Sequence, residues 1–186
     1  MAYMTSLMRV RITGLACLLV CLSEPVLADC SDVAAPGVYW RRCFQDGQNL
    51  RGVDLSGATL RDASFKRTDL SGADLTGADG RGASFVSAVL HGTRFDEANL
   101  ARADLTKAEL RGASLRQADL TSARLFRADL SGADLTGARL NDTDLLHAIL
   151  SEAVWIDGTT ICAEGSVGQC NPARAQREVS GAGASG

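Results

Sequence analysis

The sequence predicts an all-β fold, a parallel β-helix or solenoid of about 5.5 coils with capped ends, from three observations. Every position from 50 to 155 divisible by five is Leu or Phe, apart from Gly80 and Trp155. Glycine returns every twenty residues, at Gly52, Gly72, Gly92, Gly112 and Gly132. Trp40 and Trp155 stand in the five-residue register at its two ends, with Cys30 and Cys43 at one and Cys162 and Cys170 at the other.

A period of five fits neither an amphipathic helix nor a long strand, whose apolar positions recur near 3.6 and 2.0 residues. The chain must turn every five residues. Two residues before each centre sits Ala, or in a few repeats Thr or Val, with Gln48 the polar exception, so both positions are expected to point inward. The corners between them are rich in Ser71-Gly72, Thr76-Gly77 and Arg111-Gly112, and glycine tolerates the positive φ of a tight turn. The remaining position is often Asp or Asn, as at Asp54, Asp69, Asp74 and Asn99, whose short side chains can bond the nearby backbone. With aromatics at only 5%, a core of Ala and Leu must be thin. The 22 repeats run without insertion, and glycine at intervals of twenty favours four repeats per coil over three.

Runs such as Ala73-Asp74-Leu75-Thr76-Gly77 and Ala133-Asp134-Leu135-Thr136-Gly137 resemble the pentapeptide-repeat family, over about 110 residues. The resemblance implies a right-handed quadrilateral β-helix. Coils about 4.8 Å apart would then make a rod roughly 26 Å long. On such a rod the four cysteines at Cys30, Cys43, Cys162 and Cys170 pair locally, because the other pairings would join opposite ends, beyond the Cα separation a disulfide spans.

The expected organisation has five parts: a signal peptide at 1–28, an N-terminal cap and first coil at 29–47, repeats at 48–157, a disulfide cap at 158–172 and a disordered tail at 173–186. Arg9 and Arg11 precede an apolar run at 12–22, which is short for a membrane span, and Val26-Leu27-Ala28 suits a signal peptidase. The expected location is periplasmic or secreted, where an even cysteine count favours disulfides. A lipoprotein site at Cys30 is disfavoured by Asp29.

No catalytic constellation is evident. His91 and His147 fall at corners on different columns, and the cysteines suit disulfides better than zinc, so no enzyme, metal or cofactor is expected. A net charge of −3, with outward faces of both signs, argues against mimicry of DNA and against nucleic-acid binding. The face of Phe65 and Phe85 carries Lys66, Arg67, Lys107, Arg124 and Arg127; that of Leu55 and Leu75 carries Asp54, Asp74, Asp96, Glu97 and Asp134. Outward apolar residues Phe126, Leu146 and Ile149 mark a candidate partner-binding patch, unless the segment 157–170 folds back over them. The expected function is a non-enzymatic exported scaffold that binds an unidentified protein, as a monomer or homodimer. The alternative is weak envelope association, with the basic face binding an anionic glycan or lipid.

Overall fold

The computed structural model describes residues 30–173 of the 186. The predicted signal peptide at 1–28 lies outside them, as does the predicted disordered tail apart from Ala173.

From residue 36 to residue 155 the backbone repeats one unit of five: two turn residues, an inward residue, a bridging residue and a second inward residue. The turn closes on itself, as where the Ala73 N–H donates to the Leu70 carbonyl at 2.9 Å. Its second residue has positive φ, which glycine meets without strain at Gly72 (φ 67°), whereas Arg67 and Lys107 adopt it with side chains attached (φ 58° each). The Asp before the turn secures it. Asp74 Oδ1 accepts the Thr76 N–H at 3.0 Å, and the same bond recurs from Asp69 to Ser71 and from Asp119 to Thr121.

Successive turns of the stack are twenty residues apart. Asp54 bridges Asp74 in parallel, Asp74 bridges Arg94, and the series continues to Asp134 with Val154. The N–H groups of Leu75 and Gly77 donate onward to Arg94 and Asp96 at 2.7 and 2.8 Å, while that of Asp74 donates back to Val53 at 2.9 Å.

Every one of these contacts is a single-residue bridge, which corrects the expectation of an all-β, right-handed quadrilateral β-helix or solenoid. Among the described residues there is no helix, no strand and no organised sheet. The physical reason lies in the period. A turn every five residues leaves one bridging residue between corners, so pairing accumulates along the stack and never along the chain.

Inside, the Ala and Leu columns are almost wholly buried, and Phe65 stacks on Phe85 with ring centroids 5.2 Å apart. Thr68 and Thr93 replace Ala in this interior; their hydroxyls donate to the Gln45 and Leu70 carbonyls at 2.6 and 2.8 Å, offsetting the burial of a polar group.

The two ends are closed differently. Cys30 is bonded to Cys43, and Trp40 is buried against Phe65, their rings 6.4 Å apart. Cys162 is bonded to Cys170, in a segment that reverses direction to make antiparallel bridges from Ile161 to Val154 and from Val167 to Ile149. Trp155, which closes the five-residue register at the other end, is only half-buried.

Candidate functional site

Stacking at intervals of twenty turns each corner into a column of side chains. One corner holds Lys66, Val86, Thr106, Phe126 and Leu146 at its first turn position and Arg67, Ser87, Lys107, Arg127 and His147 at its second. Arg67 and Arg127 are three turns of the stack apart, roughly 14 Å. Arg124 belongs to the neighbouring side, where its guanidinium pairs with Asp104 at 3.2 Å, so the five predicted basic residues divide into four on the corner and one beside it.

Elsewhere arginine is mostly engaged. Arg51 pairs with Asp69 at 2.9 Å, Arg61 and Arg81 both reach Asp79, Arg94 reaches Asp74, and Arg111, Arg116 and Arg139 reach Asp129, Asp134 and Asp119. Hydrogen bonds from Ser71, with the Arg51 guanidinium, hold the Asp69 carboxyl down at about 2; the bond from Arg81, with Arg61 beside it, does the same for Asp79, also at about 2. On the basic corner the nearby carboxylate is Asp46, which accepts bonds from Ser64 Oγ at 2.6 Å and the Lys66 N–H at 2.9 Å. Burial pushes its carboxyl up, but those bonds and the Lys66 and Arg67 charges outweigh that and lower it.

The apolar trio expected here is only partly brought together. Phe126 is half-buried, with the His147 ring edge-on at 5.8 Å and the Arg127 guanidinium 5.1 Å from its centroid. Leu146 is 57% exposed and Ile149 is 39% exposed. The segment after Asp157 does fold back, and Gly168 N–H donates to the Ala148 carbonyl at 2.8 Å, yet it leaves Leu146 uncovered. It also adds Val167, 48% exposed and bridged to Ile149, which the five-residue register could not place because Val167 lies beyond it. Phe44, 80% exposed at the other end, was likewise missed, although it stands at a bridging position that is usually polar.

His91 Nε2 lies 3.0 Å from the Glu109 carboxylate and His147 abuts Phe126, so the two histidines do not meet. Among the described residues no group of three or more His, Cys, Asp or Glu side chains is arranged to hold a metal ion. A shallow depression of about 490 Å³ lies on the preceding corner, lined by Asp62, Arg81, Gly82, Asn99, Arg102 and Asp119 among others.

The pentapeptide repeats family matches in eight copies, over residues 46–77, 83–121 and 123–154, more than half of the chain. No curated protein matches. Among solved structures, the chain is similar to the pentapeptide repeat protein Rfr23 from the cyanobacterium Cyanothece 51142, with 30% identity and a TM-score of 0.59, covering 60% of this chain and 90% of that one. It is similar to HetL, involved in heterocyst differentiation regulation in Nostoc sp. strain PCC 7120, at 28% identity and a TM-score of 0.42, covering 67% and 68%. A pentapeptide repeat protein of the Arabidopsis thaliana thylakoid lumen is 36% identical over 57% of this chain and 68% of that one, with a TM-score of 0.27. Five-residue units matched along most of the stack leave one assignment: the chain belongs to the pentapeptide-repeat family, and like its members it is a non-enzymatic scaffold.

Proposed function

We propose that the chain is an exported scaffold that binds a protein partner through the aliphatic surface of Leu146, Ile149 and Val167. The observation that carries this reading is the exposure of Leu146 at a position that repeat after repeat fills with polar or small residues. The interior is filled by side chains, so contacts belong to the outside of the stack. A photo-crosslinker at position 167 in the exported protein tests it. Capture of one defined partner that resists raised salt and disappears in Leu146→Ser with Ile149→Ser is the expected result. Unchanged capture by the double variant would remove the patch from the reading.

A second reading is favoured by Lys66, Arg67, Lys107 and Arg127, none of which has a carboxylate within 4.0 Å among the described residues: the basic corner binds an anionic component of the envelope. Its association would weaken steeply with salt, in contrast to the first.

A further inference from the structure

We propose that the corner carrying Arg67, Lys107 and Arg127, with Leu146, Ile149 and Val167 at its C-terminal end, docks onto the surface of an anionic lipid bilayer. This rests on the second reading above and names its ligand.

The charge argument is one of distribution. Of fifteen Lys and Arg side chains among the described residues, nine lie within 4.0 Å of a carboxylate oxygen. The other six are Arg41, Lys66, Arg67, Arg102, Lys107 and Arg127, and four of them share this one corner. All four are exposed. Arg67, Lys107 and Arg127 also occupy the left-handed turn position, with φ 58° each, where another corner carries Gly72, Gly92, Gly112 and Gly132. Ten other described non-glycine residues share that conformation, Asp62, Glu97 and Arg102 among them, so the conformation belongs to the repeat and the distinction of this corner is its charge.

Shape and apolar chemistry narrow the ligand. A column of side chains along a corner is convex and suits a plane, whereas a bound peptide is usually held in a groove or on a sheet edge. Two depressions on the described surface lie elsewhere, one at the N-terminal end beside Pro36 and Tyr39 and one on the preceding corner. The exposed apolar residues at the end of the ridge are aliphatic, as the acyl boundary of a bilayer accepts. Sugar rings pack on aromatic faces, and the aromatic side chain here, Phe126, already contacts His147 and Arg127. Leu146 beside Arg127 and His147 therefore makes an amphipathic contact in which cations meet headgroups and Leu146, Ile149 and Val167 enter just beneath them.

Co-sedimentation of the full chain with vesicles of phosphatidylglycerol in phosphatidylcholine tests the proposal. Pure phosphatidylcholine vesicles measure the binding that needs no lipid charge, that of the apolar run at 12–22 included, and immobilised dextran sulfate serves as a polyanion without acyl chains. The expected result is a preference for anionic vesicles that raised salt abolishes. Each cation near such a surface contributes about fivefold, so Arg67→Asn, Lys107→Asn and Arg127→Asn together should weaken binding about 100-fold. Asparagine tolerates the left-handed backbone, which protects the fold of that variant. Arg41→Gln with Arg102→Asn removes unpaired cations from elsewhere and should cost far less. Leu146→Ser with Ile149→Ser should weaken binding about tenfold at unchanged charge. Binding to dextran sulfate with no preference for anionic vesicles would overturn the lipid assignment and leave the basic-corner reading standing. Binding to neither would overturn both, and equal losses in the triple variant and the Arg41/Arg102 control would remove the contact from this corner.

Discussion

A Cβ added to Gly80 would lie 3.0 Å from Cδ2 of Leu100, the next residue in its column. Gly80 is the one glycine in a column of otherwise large apolar residues, and the space is already taken. Going round the same turn of the stack, Phe85 and Phe95 meet edge-on with centroids 5.8 Å apart, both fully buried. Gly80→Leu therefore overpacks the interior and should destabilise the protein by about 1–3 kcal/mol, although it restores the repeat consensus. Chemical denaturation checks this, and a more stable variant would show that a cavity had been present.

Acid should weaken the stack in a defined window. Asp69 and Asp79 titrate at about 2 in the folded chain, against an ordinary 3.8, because hydrogen bonds from Ser71 and Arg81 favour their charged forms. A folded pKa below the unfolded one means the unfolded chain binds more protons as pH falls. The stabilisation is thus complete above about pH 4 and lost progressively towards pH 2. Asp157, held at about 2 by Thr160 and Thr159, ties the start of the C-terminal cap to the same window. Melting temperature should be flat from pH 7 to about 4.5 and then fall. A steady decline beginning near pH 6 would point to a different group.

The register and the interior were legible because each repeat states them again: Leu or Phe at the centre, Ala two residues earlier, Asp before the turn. The absence of strands was not. Periodicity announces a turn every five residues but does not say that only one residue between turns, such as Asp74 between Asp54 and Arg94, will engage its neighbours as a bridge. The C-terminal cap was less legible still, since Val167 and Ile161 reach Ile149 and Val154 by an antiparallel return that no repeat prescribes. One of the three residues of the candidate patch, Val167, depended on that return.

Reduction should loosen the ends before the middle. The Cys30–Cys43 and Cys162–Cys170 bonds join residues 13 and 8 apart, and each secures one end of a stack whose turns contact only their neighbours. Hydrogen exchange after reduction should show lost protection at the Trp40 and Arg42 amides and at those of Glu152 and Cys162, with Leu90 and Leu105 unchanged. Uniform loss along the stack would mean that the disulfides support it as one cooperative unit.

Phe126 and Leu146 occupy one column twenty residues apart, yet their substitutions should separate. Phe126 is half-buried and engaged by His147 and Arg127, so Phe126→Ser removes a ring contact as well as apolar burial and should cost about 1–2 kcal/mol. Leu146, 57% exposed, contributes little to the isolated fold, and Leu146→Ser should fall within about 0.5 kcal/mol of the unmodified protein. Denaturation of each variant at low protein concentration makes the comparison. A large cost for Leu146→Ser at every concentration would mean that another part of the chain covers it. A cost that appears only as concentration rises would instead reveal a second copy on the same surface. Only if Leu146→Ser is nearly silent in both tests is the side chain free for an external ligand, as both readings of this corner require.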